Sequence, residues 1–438
     1  MMHKLLSRIL PLLLLLLVAL PARAVITIEI TEGVEGAIPV GVVAFDTSQL
    51  PLPLKTELAA IITDDLNRSG QFKVLPAADY PQRPAQSRQV QYPLWRSLGA
   101  EFLVIGRVLP KEGGLYDVQF QFLDVLKQKQ LLGYRFPVRG RSLRSTAHEI
   151  SDLIYEKITG TRGAFNTRIA YISVQGKGKN KKYVLQVADT DGYNPQTVLE
   201  SDQPLMSPSW SPDGASLAYV SFENQRPEIF IQHLASARRS KMAGFKGLNQ
   251  APAWSPDGRK LALVLSKDGS PDIYVMDIAT RKLKRITRHR AIDTEPVWTP
   301  DGKALLFTSD RSGSPQIYRV GLTGGRPERL TFEGPYNASP DISSDGKSLA
   351  LLYGEQGRYR IGELNLEDGN LSLLTDNRLD ESPSFAPNGR MILYATTRGD
   401  KGVLYMVSLD GRVQHKLSDQ AGDIREPAWG PYKPLRIQ

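Results

Sequence analysis

The sequence predicts an α+β protein of two domains, in which an N-terminal α/β domain is followed by a six-bladed β-propeller with WD40-like Pro-Asp-Gly repeats. Three observations support this prediction. A Trp-Ser-Pro-Asp-Gly motif and its variants recur from Trp210 to Trp429 with spacings of 44, 44, 44, 43 and 44 residues. The strand that should precede the first repeat is found instead at the C-terminal end. Residues 38–160 lack the repeat and mix helical with strand periodicities.

Residues 1–24 have the pattern of a cleavable signal peptide. Lys4 and Arg8 precede an apolar run from Ile9 to Leu20, which ends in a Pro-Ala-Arg-Ala sequence. The alternative is a membrane anchor, but the run is about half as long as the roughly 20 apolar residues that span a bilayer. We expect cleavage after Ala24 and a mildly basic exported protein without a transmembrane segment.

Residues 25–36 alternate apolar and polar side chains, as a single β-strand does. Gly33, Gly36 and Pro39 loosen the connection to the next segment. Two interpretations remain open: an edge strand of the α/β domain, or a mobile segment that docks onto a partner by strand addition. Under either interpretation, residues 25–36 are treated as a segment distinct from residues 37–162.

Residues 37–162 are predicted to form the α/β domain. The predicted strands cover residues 38–45, 102–106, 116–125 and 131–138. The predicted helices cover residues 54–66, 94–98 and 143–158. Because Ala147, Ile150 and Ile154 share one apolar face of the last helix, His148 is assigned to its solvent side. No Gly-rich phosphate loop of the Rossmann or P-loop type occurs.

Each repeat begins at a tight turn. Pro fixes φ for the second position of a type I turn, Asp or Asn suits the third, and Gly adopts the positive φ that follows. The motifs that carry this turn start at Trp210, Trp254, Trp298, Ile342 and Phe385. An apolar strand and two further short strands follow each turn, which makes a four-stranded unit. Since both faces of such a unit are apolar, the units must stack around an axis.

The number of blades follows from counting strands. The second-strand pattern occurs six times, and its first copy begins at Ile169 with no motif strand before it. Pro427-Ala428-Trp429 supplies a motif strand with no strand after it. We therefore expect residues 163–438 to hold a closed ring of six blades from about Ala164 to Trp429, without a free sheet edge.

Some residues of the repeats suggest ligand sites but are assigned to structure. The motif Trp is expected to pack between blades, and the motif Asp to be a turn residue, because a calcium loop needs six or more oxygen ligands. Asp189-Thr190-Asp191-Gly192 begins like a calcium loop but lacks the later Glu, so it is assigned to a turn. The basic run 177–182 is interpreted as a solvated hairpin tip.

Composition and motifs argue against catalysis, cofactors and nucleic-acid binding. The chain has 438 residues, a formal net charge of +9, five His and no Cys, so disulfides, thiolate metal sites and cysteine nucleophiles are excluded. It has no Gly-x-Ser-x-Gly nucleophile elbow and no His-Glu-x-x-His motif. We expect no metal, no cofactor and no enzyme activity. The alternative is a propeller-type hydrolase or a small-ligand-binding module.

The whole mature chain resembles the TolB family of the Tol–Pal system of Gram-negative bacteria. The resemblance is carried by residues 203–208, 293–296, 343–346 and 380–383, and by the order of signal peptide, N-terminal segment, α/β domain and six blades. It implies a non-enzymatic periplasmic protein, expected to be a monomer, that is peripheral to membranes only through its partners. Those partners would be the lipoprotein Pal, TolA and other outer-membrane proteins. The system supports outer-membrane integrity and envelope constriction during cell division.

The resemblance also implies binding positions. Residues just before each inner strand would line a Pal-binding mouth, where polar side chains repeated in each blade converge. These residues are Met206, Ser207, Asn249, Ala251, Thr294, Glu295, Asn337, Ser339, Asp380, Glu381, Arg425 and Glu426. The TolA-binding segment, residues 25–36, would contribute Val25, Ile26, Ile28, Ile30 and Gly33. Leu248 departs from the polar character expected of the mouth, and Ile342 replaces the usual motif aromatic.

Overall fold

The computed structural model describes residues 36–417 and 421–433. The predicted signal peptide and the five residues predicted to bind TolA lie outside the described residues. Within these ranges, no helix is both long enough and apolar enough to cross a membrane.

The N-terminal part of the described chain is a mixed five-stranded sheet with helices on both faces. Its strands are β1 (Ile38–Val42), β2 (Phe72–Val74), β3 (Phe102–Lys111), β4 (Leu115–Asp124) and β5 (Lys129–Arg139). Its helices are α1 (Leu58–Arg68), α2 (Tyr92–Ser97) and α3 (Leu143–Thr159). The strand order is β2-β1-β3-β4-β5, in which β1 runs parallel to β2 and β3 while β3, β4 and β5 form an antiparallel meander.

Two apolar layers hold these elements together. Ile62 of α1 and Ile154 of α3 are fully buried against one face of the sheet. Trp95 of α2 is fully buried against the other face. The helix predicted from residue 54 begins only at Leu58, and Leu54 packs onto the core from the non-helical segment before it.

Six four-stranded antiparallel blades make up the remainder of the chain. Their strands are β6 (Arg168–Gln175), β7 (Lys182–Asp189), β8 (Gln196–Ser201), β9 (Leu205–Trp210), β10 (Ser216–Ser221), β11 (Glu228–His233), β12 (Arg239–Ala243), β13 (Asn249–Trp254), β14 (Lys260–Leu265), β15 (Asp272–Asp277), β16 (Leu283–Arg285), β17 (Asp293–Trp298), β18 (Ala304–Ser309), β19 (Gln316–Gly321), β20 (Glu328–Arg329), β21 (Tyr336–Ile342), β22 (Ser348–Glu355), β23 (Arg358–Asn365), β24 (Leu371–Leu373), β25 (Asp380–Phe385), β26 (Met391–Arg398), β27 (Lys401–Ser408), β28 (Gln414–Lys416) and β29 (Asp423–Trp429). The last strand, β29, pairs with β6, with Arg425 opposite Ile172 and Trp429 opposite Ile169. The predicted six-bladed ring, closed by the two ends of the repeat region, is confirmed.

The Pro-Asp-Gly turns and the motif tryptophans are structural, as predicted. In the first motif, Asp213 Oδ1 accepts hydrogen bonds from Ser211 Oγ (2.6 Å) and from the Ala215 N–H (3.0 Å). In the third, Trp298 Nε1 donates to the Ala253 carbonyl of the preceding blade (3.0 Å). The motif therefore closes a hairpin, and in the repeats of Trp210 and Trp298 its tryptophan also joins neighbouring blades by a hydrogen bond.

The N-terminal part contacts the end of the propeller that carries the Pro-Asp-Gly turns. The Arg162 carbonyl accepts hydrogen bonds from Asn388 Nδ2 (3.1 Å) and from the Tyr432 hydroxyl (3.3 Å). Arg144 of α3 pairs with Asp191 in the turn between β7 and β8. Because successive strands run antiparallel, the segments that enter the six inner strands lie at the opposite end of the propeller.

The assignment of His148 to the solvent side of α3 is wrong. Its side chain is almost completely buried, and its Nδ1 lies 2.7 Å from Asp65 Oδ2 of α1. Helix α3 packs against α1 and also approaches the turn between β7 and β8, so more than its apolar face is covered. The helical periodicity of the sequence revealed only the apolar contact.

Candidate functional site

A cavity of about 770 Å³ lies at the centre of the propeller. Residues of all six inner strands line it, namely β9, β13, β17, β21, β25 and β29. The chain enters these strands at the end of the propeller opposite the N-terminal part. The cavity opening at this end corresponds to the mouth that was predicted to bind a partner.

One residue of each inner strand has a left-handed backbone and stands directly before a proline. These residues are Ser207, Ala251, Glu295, Ser339, Ser382 and Glu426, with φ between 45° and 54°. A β-bulge interrupts the pairing with the second strand at this point in every blade. The left-handed region costs a non-glycine residue about 1–2 kcal/mol, and a following proline restricts the backbone further. The same strained bulge recurs six times on the cavity wall, which makes this wall the candidate functional surface.

Glutamates at two of these bulges bond the bulge of the next blade. The Ser207 N–H donates to Glu426 Oε2 (2.5 Å). The Ser339 N–H and Oγ donate to the two carboxylate oxygens of Glu295 (both 2.8 Å), and Thr308 Oγ1 donates to Glu295 Oε2 (2.7 Å). The six bulge residues read Ser-Ala-Glu and then Ser-Ser-Glu around the ring, so the two glutamates are three blades apart and face each other across the cavity.

The cavity wall is acidic, and burial disfavours the charged form of its carboxyl groups. Desolvation raises the pKa of Glu426 to about 7, although the Ser207 N–H opposes the shift. Desolvation likewise raises the pKa of Asp341 to about 6, against the hydrogen bond from the Phe385 N–H (2.7 Å). The pKa of Glu381 is also raised by burial. A ligand that brings positive charge or hydrogen-bond donors into the cavity would stabilise the ionised carboxylates.

We expect Glu426→Gln to stabilise the protein above pH 7 and to have little effect below pH 4.5. The pKa of Glu426 is raised to about 7 from an ordinary value of 4.5, so the folded state binds this proton more tightly than the unfolded state. Stability therefore falls as pH rises between these two values, and the amide removes that loss while its oxygen can still accept the Ser207 N–H. The gain at pH 8 should be about 3 kcal/mol, because the pKa rises from 4.5 to about 7 and each pKa unit corresponds to about 1.4 kcal/mol.

Urea unfolding of both proteins at pH 4.5, 6 and 8 measures the effect. Glu328→Gln, an exposed glutamate of β20, is the matched control and should change nothing. A stability difference that is the same at all three pH values would contradict the prediction.

Eight of the twelve residues predicted for the mouth line the cavity. They are Met206, Ser207, Ala251, Thr294, Glu295, Ser339, Glu381 and Glu426. The other four do not. The side chains of Asn249, Asn337 and Asp380 are buried among neighbouring segments of the blades, and Arg425 is exposed and pairs with Asp423 (2.7 Å).

Each of the three buried side chains holds the segment that leads into its own inner strand. Asn249 Nδ2 donates to the Phe245 carbonyl (2.8 Å), and Asn337 Nδ2 donates to the Glu333 carbonyl (2.8 Å). Thr375 Oγ1 donates to Asp380 Oδ2 (2.5 Å), so this carboxylate also has an internal partner. These hydrogen bonds give the three side chains a structural role at the start of the inner strand.

Sequence reasoning missed further residues of the cavity wall. They are Gln250, Tyr336, Asp341, Ser382 and the six prolines that follow the bulge residues. A signal for the prolines was present, because a Pro stands two residues before the motif aromatic or its replacement in all six repeats.

Exposed apolar side chains surround the same end of the propeller. We call Phe245, Leu248, Ile292, Phe332 and Leu379 the apolar rim, because each lies in a segment that leads from the outer strand of one blade to the inner strand of the next. Ile292 is 50% and Phe332 is 75% exposed. Leu248, which departs from the polar character expected there, is thus one of five exposed apolar residues in four of these six segments. Exposed apolar groups clustered beside a cavity are typical of protein-binding surfaces.

The chain is similar to known proteins over both of its parts. Residues 26–131 match the family model described as the TolB amino-terminal domain, and residues 155–433 match the TolB beta propeller domain. The chain is 58% identical to the Tol-Pal system protein TolB of Thioalkalivibrio sulfidiphilus over 96% of this chain and 97% of the relative. It is 60% identical to the protein of that name from Nitrosococcus oceani over 93% and 94%. The crystal structure of TolB from Acinetobacter baumannii superimposes with a TM-score of 0.84 at 42% identity, covering 92% of this chain and 99% of that one.

Proposed function

The chain belongs to the TolB family, and from this membership we propose that it is a non-enzymatic interaction protein of the periplasm. In this proposal it binds Pal through the cavity of the propeller and TolA through residues 25–36. It thereby supports outer-membrane integrity and envelope constriction during division. Relatives that carry the name of the Tol-Pal system over nearly their full length support this role.

The observation that carries the Pal-binding part of the proposal is the combination of an acidic cavity with the apolar rim. The cavity is large enough to accept several side chains, and its wall presents Glu295, Asp341, Glu381 and Glu426. The apolar rim offers contact area around the entrance. A protein loop with a basic or donor-rich tip and apolar flanks would match both regions, because interfaces combine a polar anchor with desolvated apolar contacts.

Binding at two separate places is a further part of the proposal. The N-terminal part occupies the propeller end that carries the Pro-Asp-Gly turns, and the proposed Pal site lies at the other end. The proposed TolA-binding segment precedes β1 in the sequence, and all of it except Gly36 lies outside the described residues. A pull-down from envelope extract with residues 25–438, and in parallel with residues 37–438, tests this arrangement. Capture of Pal by both chains and of TolA only by the longer chain would support it, and capture of neither would refute it.

We expect Glu295→Lys to weaken the binding of purified Pal at least about tenfold. The carboxylate of Glu295 lies on the cavity wall and holds the bulge at Ser339, so a lysine there reverses a charge and removes an acceptor at the same time. Glu295→Gln retains an acceptor for Ser339 and separates the two contributions.

Calorimetric titration of Pal into each variant gives the affinities. Glu328→Lys makes the same charge reversal on β20, away from the cavity, and should bind like the unsubstituted protein. Circular dichroism establishes that each variant is folded. If folded Glu295→Lys binds Pal with unchanged affinity, Glu295 is not part of the site.

A further inference from the structure

Three potential metal ligands meet where α3 approaches the propeller. His148 of α3, Asp189 at the end of β7 and Asp191 in the following turn each offer one ligand atom, and these atoms lie within 4.8 Å of one another. Asp189 and Asp191 belong to the Asp-Thr-Asp-Gly sequence that begins like a calcium loop but lacks its later acidic ligand. The fold supplies a histidine to this turn from a residue more than 40 positions earlier in the chain.

The histidine is oriented as metal-binding histidines are. Its side chain is only 2% exposed, and its Nδ1 lies 2.7 Å from Asp65 Oδ2. Since a carboxylate can only accept, Nδ1 donates its proton to Asp65, and the second ring nitrogen, Nε2, is left facing Asp191. A bound metal ion would replace any proton on Nε2, because a histidine ligand must be deprotonated at the nitrogen that binds the metal. Nε2 is buried, has no hydrogen-bond partner among the described residues, and lies 3.7 Å from Asp191 Oδ2. A carboxylate that orients the far side of the imidazole is the usual outer partner of a metal-bound histidine.

We propose that His148 Nε2 and one carboxylate oxygen each from Asp189 and Asp191 bind a divalent transition-metal ion of the Zn²⁺ type. One nitrogen and two oxygen ligands, with water as a fourth, suit the four-coordinate preference of zinc. Asp65 acts as a positioning residue. Because the ligands come from α3 and from the turn between β7 and β8, the ion would fasten the N-terminal part to the propeller.

Arg144 is the natural competitor of such an ion. Its guanidinium bonds Asp191 and lies 3.3 Å from Asp189, and its Cζ stands 4.3 Å from the centre of the Tyr193 ring. The three carboxylates of Asp65, Asp189 and Asp191 outnumber the two guanidinium groups of Arg68 and Arg144 that pair with them. A divalent ion would bind Asp189 and Asp191 in place of the Arg144 guanidinium.

Titration of the purified, untagged chain of residues 25–438 with Zn²⁺ and with Co²⁺ tests the proposal. We expect one equivalent of Zn²⁺ to bind, and Co²⁺ to give the intense visible absorption of a four-coordinate site. His148→Gln should abolish both signals, and Asp65→Asn should weaken binding by about 10–100-fold. Arg144→Gln removes the competing cation and should tighten binding. His233→Gln changes an exposed histidine and serves as the matched control.

The outcomes are distinct. Stoichiometric binding that depends on His148 and is strengthened in Arg144→Gln would establish the site. The proposal would be overturned if no metal bound at a concentration of about 100 μM, which corresponds to a binding free energy weaker than about 5.5 kcal/mol. It would also be overturned if His148→Gln left the binding unchanged. If His148→Gln does not fold, Asp191→Asn decides in the same way, because that substitution removes a charge from the partly exposed turn and keeps its size.

Discussion

A chain truncated after Ala421 is expected to lose the cooperative unfolding transition of the propeller. The truncation removes β29, which is the inner strand of the blade formed by β6, β7 and β8. It leaves β6 as an unpaired edge and takes Ile424 and Trp429 out of the core that they share with Ile169. Because a domain is usually stable by only about 5–15 kcal/mol, we expect loss of a whole strand from the closed ring to remove most of that stability.

Thermal melts followed by circular dichroism, together with gel filtration, measure this effect. The control is a chain that ends after Lys433, which retains β29 and removes only residues outside the described part. It should melt like the full chain. A chain truncated after Ala421 that still melted in one sharp transition near the temperature of the control would contradict the prediction.

Trp298→Ala is expected to lower the free energy of unfolding by about 3–5 kcal/mol. The indole is 5% exposed and packs with Leu305 and Phe307 between two blades. Its Nε1 also donates to the Ala253 carbonyl of the preceding blade (3.0 Å), so the alanine leaves both a cavity and an unpaired carbonyl.

Trp298→Phe separates packing from the hydrogen bond. It should cost less than the alanine, because Phe385 occupies the equivalent position in another blade. Trp254→Phe is the matched control, since the Trp254 Nε1 has no hydrogen-bond partner among the described residues and the change loses packing alone. Urea unfolding gives all three values. Equal losses for Trp298→Phe and Trp298→Ala would show that the hydrogen bond, rather than the ring volume, is what matters.

The ring of blades could be predicted because its evidence is repeated along the chain. The period of the motif, the turn chemistry and the displaced strand at Pro427-Ala428-Trp429 all lie within the sequence itself. The environment of His148 could not be predicted in the same way. It depends on a contact between α3 and the turn between β7 and β8, and the periodicity of a helix does not reveal its contacts with distant segments.

The cavity wall was predicted only in part because the inner strands are irregular. The prediction assigned Asn249 with Ala251, and Asn337 with Ser339, to the mouth, and in an ordinary strand residues two apart do share a face. The bulge at Ala251 and at Ser339 breaks that alternation, so the earlier residue is buried between neighbouring segments and the later one lines the cavity. A left-handed residue before proline is contrary to local preference, and no local pattern would have predicted it.

The pairing of β29 with β6 also sets the order of events in folding. Ile169 and Trp429 are opposite each other in one blade although almost the whole propeller separates them along the chain. The other five blades can each form from consecutive strands, but the ring cannot close until β29 reaches β6. Contacts this distant in sequence make folding slow, so β6 remains an unpaired edge until then, and an unpaired edge can pair with a strand of another chain.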